Sequence, residues 1–174
     1  MLSDLPLFKM LTVNVILGTL WHVAMFIVCI RSEAAFSPDK KHYRPHKWER
    51  GGKFYADVFK INRWKDLLPQ YVGKGGFSKE HLEDVSIEYI DRFIIETCRG
   101  EWNHTMNCLF ALPLFILNQF WPALLMTCLL LLGNLPFVAI QRYNRFRLQK
   151  LRKLVLRKTD RQTAVPASSL SEDF

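Results

Sequence analysis

The stretch Phe120–Ile140, FWPALLMTCLLLLGNLPFVAI, contains no charged side chain, and QRYNRFRL follows it at 141–148. As an α-helix this stretch is roughly 31 Å long, at about 1.5 Å per residue, which is close to the thickness of a bilayer's hydrocarbon core. The cations that come next would then lie where lipid headgroups begin, at Arg142, Arg145, Arg147 and Lys150. The stretch therefore predicts a membrane-spanning helix whose C-terminal end faces the cytoplasm.

Apolar residues concentrate in two parts of the chain, Leu11–Ile30 and Met106–Ile140, and the segment between them is polar. A soluble domain of 174 residues would spread them at helical or strand periods instead. Because Lys9 is the single Lys or Arg before Leu11–Ile30 and Arg31 follows this run directly, we expect a retained span rather than a cleaved signal peptide.

The distribution of the 24 Lys and Arg residues determines the number of crossings. Nearly all lie either in 31–101 or after Ile140, and the positive-inside rule assigns both segments to the cytoplasm. An even number of crossings must separate them, so Trp102–Asn118 is predicted to be a short second span. The alternative has two spans with Met106–Leu117 as a re-entrant or in-plane segment, which would place the two basic segments on opposite sides.

The sequence thus predicts an all-α integral membrane protein of the cell membrane, with its N-terminus outside and its site at the cytoplasmic face. A single membrane domain covers 1–158. Its predicted parts are three transmembrane helices (about 11–30, 102–118 and 120–140), a cytoplasmic or interfacial layer (31–101) and a basic amphipathic helix (141–158), and a disordered tail follows (159–174).

Two helices are predicted within the polar layer. Residues 53–68 alternate aromatic and basic side chains, which suits either an amphipathic helix in the headgroup plane or a helix packed on its own cytoplasmic layer. Ser78 or Ser86 would cap the next helix. Its buried stripe is expected at Ile87, Ile90, Ile94 and Cys98.

Several classes of site are excluded by composition. The four cysteines have no C-x-x-C spacing and mostly lie in apolar runs, so neither a disulfide framework nor a metal site is expected. The net charge of +8 is concentrated beside the last apolar run, where anionic lipid headgroups explain it better than nucleic acid does. No phosphate-loop or dinucleotide glycine pattern is present, and no cofactor is expected.

The first cluster with catalytic potential is Glu96, Arg99, Glu101 and His104, at the entry to the second span. Glu101 and His104 are i,i+3 neighbours on a helix, and a carboxylate beside an imidazole prepares it to accept a proton from a hydroxyl. Ionisable groups at membrane depth usually mark function. The alternative is a solvated lead-in to the span, with Glu96 and Arg99 as an ordinary ion pair.

A second polar cluster ends the last span, at Asn134, Gln141, Arg142, Tyr143, Asn144 and Arg145. Two guanidinium groups at this depth suit a phosphate or a carboxylate. Headgroup anchoring explains the arginines equally well, but it gives no reason for the amides at 134, 141 and 144. His22 in the first span is expected to be a hydrogen-bonded structural group.

Four segments together resemble the glycosyl-4,4'-diaponeurosporenoate acyltransferase family in order and spacing. They are Arg63–Pro69 (RWKDLLP), Gly75–Lys79 (GGFSK), Glu96–His104 (ETCRGEWNH) and Asn134–Leu148 (NLPFVAIQRYNRFRL). The resemblance covers roughly residues 50–150. It implies a small bacterial membrane enzyme that moves a fatty acyl group onto a sugar hydroxyl of a glycosylated carotenoid, in staphyloxanthin-type pigment synthesis. Gly100 departs from the pattern, in which a small helix former such as alanine is expected.

On this resemblance the partners would be an acyl-CoA or acyl carrier protein donor, a glycosylated carotenoid or other glycolipid acceptor, and membrane lipids. We expect Glu101 to orient His104 as the base, Glu96 with Arg99 to brace the site, and Arg142 with Arg145 to hold the donor's phosphate-bearing head. Further substrate contacts are assigned to Trp64, Lys65, Asn134, Gln141, Tyr143 and Asn144. No Ser or Cys nucleophile has a recognisable setting, which favours direct transfer.

Two other functions are compatible with the sequence. A non-enzymatic lipid-binding scaffold would account for the basic helix, and another lipid-modifying transferase would account for the polar clusters. An enzyme requires 96–104 and 134–145 to converge on one cleft, whereas a scaffold does not.

Overall fold

The computed structural model describes residue 2 and residues 5–31, 36–68 and 86–164, and the regular structure in these ranges is helical. The α-helices are α1 (Leu7–Arg31), α2 (Lys53–Asp57), α3 (Ile87–Cys108), α4 (Ala111–Leu117) and α5 (Phe120–Ala164). Short 3-10 turns occupy Lys41–Tyr43, Lys47–Gly52, Ile61–Arg63 and Lys65–Leu67. The predicted all-α class is confirmed.

The most extensive packing between two helices is that of α3 against α5, which run antiparallel. Three side-chain pairs mark its register from the first turns of α3 to its last ones: Asp91 with Arg152, Glu101 with Arg142, and His104 with Asn134. The buried stripe predicted for α3 forms part of this helix's packed surface, since Ile90, Ile94 and Cys98 are all buried.

The helix α1 runs back along α3 and α4 in the opposite direction. Near its C-terminal end the Cys29 thiol donates to the carbonyl of Arg99, and near its middle Trp21 Nε1 donates to the carbonyl of Met106. At the other end the amides of Asn14 and Asn118 exchange two hydrogen bonds of 2.7 and 3.0 Å. The path Ile87–Leu117 therefore returns along nearly the whole length of α1.

Two helical segments are long and apolar enough to cross a membrane, Leu7–Ile30 and Phe120–Arg161. Only 11% and 22% of their most apolar windows are buried, so they do not resemble the core helices of a soluble protein. The prediction of a third such helix over Trp102–Asn118 is wrong. The chain breaks there between α3 and α4, and the last turns of α3 carry Asn103, His104 and Asn107 on a face that packs inward.

The predicted helix over 53–68 is also wrong. Only Lys53–Asp57 is α-helical, and the left-handed backbone of Lys60, with φ of 51°, separates it from the turns that follow. The break allows Tyr55 and Ile61 both to be buried against the start of the basic half of α5. This segment is thus packed on its own layer, with Ile140, Tyr143 and Phe146 as the α5 side of the cluster.

The remaining helix ends agree largely with the sequence. Ser86 caps α3, since its hydroxyl accepts a hydrogen bond of 3.2 Å from the backbone of Tyr89, whereas Ser78 and the glycine-rich turn lie outside the described residues. The helix α5 continues from its apolar half through the basic segment to Ala164. Residues 159–164 are therefore helical rather than part of a tail, and 165–174 lie outside the described residues.

Candidate active site

An open cleft of about 590 Å³ lies between α1, α3 and α5. Its walls combine apolar side chains with a small set of polar ones. The polar residues are His22, Asn103, His104, Asn107 and Asn134, and the apolar part is formed by Val23, Phe26, Leu129, Leu130 and Gly133. A mostly apolar cleft with a few convergent polar groups is the usual form of a small-molecule site.

A hydrogen bond between His104 and Asn134 fixes the chemistry of one wall. The Asn134 amide nitrogen donates to the carbonyl of Leu130 at 2.9 Å, so its Oδ1 is the atom that faces His104 Nδ1 at 3.0 Å. An amide oxygen only accepts, and Nδ1 must therefore carry the proton. The imidazole ring also stacks on Phe137, with ring centroids 4.8 Å apart. His104 is thereby held as the tautomer whose Nε2 has a lone pair, the form that a general base needs.

The helix α1 contributes a second imidazole to the same cleft. His22 Nδ1 lies 2.8 Å from the carbonyl of Gly18 in the preceding turn, and a carbonyl accepts, so this nitrogen is the donor. Nε2 of His22 is consequently also an acceptor. The expected structural hydrogen bond of His22 is confirmed, and the residue also lines the cleft, a position not predicted from the sequence.

Two asparagines of α3, Asn103 and Asn107, complete the polar part of the cleft. Asn103 Oδ1 and Asn107 Oδ1 are both buried, and neither has a hydrogen-bond partner among the described residues. Asn107 as a whole is only 3% exposed. Buried polar atoms in native proteins are normally paired, so unpaired acceptors that line a cleft indicate a place for a ligand's donors.

Below the cleft a buried ionic cluster joins α3, α5 and the 42–49 segment. The guanidinium of Arg142 uses all five of its N–H groups on protein acceptors. These are both Glu49 oxygens (2.7 and 2.9 Å), Glu101 Oε1 (2.6 Å) and the carbonyls of His42 (3.2 Å) and Arg44 (3.4 Å). Arg145 donates to the second Glu101 oxygen and to Cys98 Sγ, and lies over the ring of Tyr43.

This cluster changes two of the roles that were expected from the sequence. Glu101 does not orient His104, because two cations on the facing helix occupy its carboxylate. Arg142 and Arg145 are 8% and 3% exposed, and all five N–H groups of Arg142 and two of Arg145 bind internal acceptors, so in this structure they do not present an open phosphate-binding site. The cluster instead fixes α3 against α5 one turn from His104.

The fully buried carboxylate of Glu49 is the centre of the loop side of this cluster. Burial by itself would raise the pKa of Glu49, but hydrogen bonds from Arg142 and Tyr55 outweigh it and hold the pKa below its ordinary value. Burial and the adjacent carboxylate together raise the pKa of Tyr55, which therefore stays a neutral donor to Glu49 at 2.7 Å. Glu49 and Arg142 therefore form a charged pair at neutral pH.

The other predicted site residues lie around the cluster rather than in the cleft. Glu96 and Arg99 form the expected ion pair at 2.8 Å. Gln141 lies over Gly100, where an added Cβ would stand 2.9 Å from its amide, so this glycine provides space for the Gln141 side chain. Elsewhere, the Tyr143 hydroxyl donates to Asn62, Trp64 Nε1 donates to the Phe59 carbonyl, Lys65 pairs with Asp66, and Asn144 is half-buried.

Segments 96–104 and 134–145 do converge, as an enzyme requires, but in two places: His104 meets Asn134 in the cleft, and Glu101 meets the arginines below it. Glu49, Asn103 and Asn107 were not predicted from the sequence. The i,i+4 spacing of two amides in an apolar setting was a usable signal for the last two. No local pattern indicates Glu49, since its partner lies 93 residues away.

The fold and the cleft define a helical protein with two helices long and apolar enough to cross a membrane and a histidine held in one tautomer in the cleft beside them. The chain belongs to the glycosyl-4,4'-diaponeurosporenoate acyltransferase family, whose sequence profile matches residues 39–154. It is therefore an acyltransferase, and the resemblance inferred from the sequence is confirmed.

Curated relatives support the same assignment. A glycosyl-4,4'-diaponeurosporenoate acyltransferase of Staphylococcus aureus (strain MRSA252) is 30% identical over 135 residues, which cover 71% of this chain and 79% of the relative. The protein of the same name from strain Newman is 29% identical over 124 residues, covering 68% and 73%. No solved structure matches the chain.

Proposed function

We propose that this acyltransferase moves a fatty acyl group from a thioester donor onto a sugar hydroxyl of a glycosylated carotenoid, with His104 as the general base. The acceptor class is taken from the name of the relatives. The observation that carries the chemistry is the Asn134–His104 hydrogen bond, which leaves the basic Nε2 in the cleft. Acyl transfer to an alcohol needs such a base, since a neutral hydroxyl is a poor nucleophile.

In the proposed reaction His104 Nε2 takes the proton of the sugar hydroxyl as its oxygen attacks the thioester carbonyl carbon. The new C–O bond forms, the C–S bond breaks, and the leaving thiolate takes the proton back from the imidazolium. Asn134 accepts from Nδ1–H throughout, so that the ring keeps its orientation while its charge changes. No covalent acyl-enzyme is required, and direct transfer agrees with the lack of an activated nucleophile among the cleft residues.

The proposed setting is a membrane crossed by α1 and α5, with α3 packed against both of them and the ionic cluster on the cytoplasmic side. Asn134 precedes Ile140 by six residues, or about 9 Å along a helix. The cleft would then open within the cytoplasmic leaflet, where an amphiphilic acceptor keeps its long chain among lipid tails. Labelling of Lys60→Cys, in a background with Cys128 replaced by serine, tests this arrangement. Reaction with an impermeant maleimide in intact cells would contradict it.

The donor is proposed to be acyl-CoA or acyl carrier protein. Because Arg142 and Arg145 are occupied by Glu49 and Glu101, the exposed cations of the next turn, Arg147 and Lys150, are better placed for a phosphate. Arg147 lies 13 residues from Asn134, about 20 Å along the helix. A long pantetheine arm can bridge such a distance, which would leave the thioester at the cleft and the phosphate in water.

The test compares His104→Ala with His42→Ala in membranes supplied with a fatty acyl-CoA and a glycosylated carotenoid. His42 is exposed and contacts Arg142 only through its carbonyl, so it is a matched control. Acylated product measured by mass spectrometry should fall at least about 100-fold for His104→Ala and stay unchanged for His42→Ala. Full product formation by a correctly inserted His104→Ala protein would refute the base assignment. A lipid-binding scaffold predicts no product from either variant or from the unmodified protein.

A further inference from the structure

The amide oxygens of Asn103 and Asn107 have no function in the acyl-transfer step described above. The two residues are four apart on α3, one helical turn, so their side chains lie on the same face. Both oxygens are buried without a partner among the described residues, and both residues line the cleft that holds His104. A protein-internal role is difficult to support, because an unpaired buried acceptor destabilises the fold.

We infer that Asn103, Asn107 and His22 form a hydroxyl-binding subsite that selects a polyhydroxylated headgroup in the acceptor. The inference rests on the proposed function and extends it from the reacting hydroxyl to its neighbours. Amide oxygens and the His22 Nε2 can only accept, so they select ligands that bring several O–H or N–H donors. A sugar ring carries several hydroxyl groups and so offers several donors at once.

The arrangement of the subsite supports recognition of a ring rather than of a chain. Asn103 and Asn107 approach from α3, and His22 approaches from α1 on another wall of the same cleft. The remaining lining comes from apolar residues that can cover the carbon face of a sugar, including Val23 and Leu130. His104 lines the same cleft as both amides, so hydroxyls held by the amides would lie near the basic nitrogen.

The acyl donor offers much less to this subsite. A thioester and a fatty chain contain no N–H or O–H group, and a carotenoid chain contains none either. The pantetheine arm of the donor does carry amide N–H groups, and the experiment must therefore separate sugar binding from donor binding. A site built to hydrogen-bond a hydroxyl discriminates strongly against an analogue that lacks it, because its polar groups are then left unpaired.

The test is a cycle between protein and acceptor variants. Acceptor glycosides that lack one sugar hydroxyl at a time are acylated by the unmodified enzyme, Asn103→Leu and Asn107→Leu, and kcat/KM is measured for each pair. For at least one deoxy acceptor the unmodified enzyme should lose about tenfold, the usual effect of one hydrogen bond. Asn107→Leu should lose about tenfold with the full sugar and show no further loss with the matching deoxy acceptor.

Stability and a matched control separate this role from a structural one. Asn118→Leu removes a buried amide that is fully hydrogen-bonded outside the cleft, and it should lower Tm without changing the deoxy pattern. Asn107→Leu should not lower Tm, since its oxygen has no partner to lose.

The outcomes separate failure of the subsite from failure of the proposed function. Absence of any acylated glycoside with the unmodified enzyme would overturn the proposed function. Normal acylation with unchanged deoxy discrimination in Asn103→Leu and Asn107→Leu would overturn only the subsite. A raised KM for the donor, with the deoxy pattern unchanged, would also overturn it and assign the amides to the pantetheine arm.

Discussion

Replacing Asn134 with leucine is expected to lower kcat by about 10- to 100-fold and to leave the KM of both substrates nearly unchanged. Leucine keeps the branched shape of asparagine but cannot accept the hydrogen bond from His104 Nδ1–H, which in the unmodified protein lies 3.0 Å from Asn134 Oδ1. The imidazole should stay stacked on Phe137, so the ring is present but its tautomer and rotation are no longer fixed. The step that suffers is proton removal rather than binding.

The magnitude follows from the one hydrogen bond that is lost. A neutral bond of this kind contributes about 1 kcal/mol, and each 1.36 kcal/mol corresponds to a factor of ten in rate. The imidazolium formed during the reaction binds the amide oxygen more strongly than neutral imidazole does, because charge-assisted hydrogen bonds are about twice as strong. Removing the hydrogen-bond partner of a metal-binding histidine lowers metal affinity or activity by about 10- to 100-fold, which is the range expected here for kcat.

The assay is single-turnover acylation of the glycolipid by purified protein in lipid nanodiscs, with Asn118→Leu as control. Asn118 also donates to the carbonyl four residues earlier, at 2.9 Å, just as Asn134 does, but its oxygen accepts from Asn14, and neither residue lines the cleft. The control should show reduced Tm and a normal rate per folded molecule. A rate within about twofold of the unmodified protein for Asn134→Leu, alongside an inactive His104→Ala, would refute the orienting role.

Three further predictions concern the cleft and the ionic cluster. Gly133→Leu should abolish most activity, because the added side chain would enter the cleft, and should leave Tm unchanged or higher, because a Cβ there meets no atom within 4 Å. Leu132→Phe, at an exposed neighbouring position, is the control, and normal activity of Gly133→Leu would contradict the role of the cleft. Arg142→Met should cost about 3–5 kcal/mol of stability, seen as loss of monodisperse protein, because it removes the cation that pairs with buried Glu49 and leaves Glu101 with Arg145 alone. A stable variant with only a raised donor KM would restore the phosphate-binding role. Because the pKa of Glu49 in the folded protein lies below its ordinary value of 4.5, the stability that this carboxylate contributes should be complete above that pH and be lost as the pH falls through the folded pKa. The Tm of Glu49→Gln should therefore be lower than that of the unmodified protein at neutral pH but should fall less on acidification. Parallel acid profiles of Tm would exclude Glu49 as the source of the acid sensitivity.

Elements with a strong local signal were predictable from the sequence. The charge-free run before Gln141 gave the apolar half of α5, and Ser86 with the Ile90, Ile94 and Cys98 spacing gave the start and the buried face of α3. These features depend on hydropathy, helical period and capping, which are properties of neighbouring residues. The helix predicted over 53–68 failed for the opposite reason, since burial of both Tyr55 and Ile61 against α5 favoured a break at Lys60 over local periodicity.

The assignment of partners in the site could not be predicted, because it depends on which helix faces which. Helical spacing allowed Glu101 to contact His104, but α5 brings two guanidinium groups to the same carboxylate. Hydrogen bonds from two guanidinium groups are stronger than one from a neutral imidazole, so the carboxylate of Glu101 binds the arginines of α5. His104 then pairs with Asn134, the amide that headgroup anchoring left unexplained in the sequence.

The third apolar span predicted over Trp102–Asn118 failed for a reason that also bears on the site. The α3–α4 path returns along α1, but α3 carries charged residues such as Asp91, Arg92 and Glu96, and this helix ends at Cys108 before the apolar residues of α4 begin. The last turns of α3 add Asn103, His104 and Asn107, and all three line the cleft. Polar groups at membrane depth are tolerated when they face a protein interior or a polar cavity. In the proposed function these residues supply the polar wall at which the sugar hydroxyl meets the thioester, so the end of α3 cannot be both this wall and part of a uniformly apolar span.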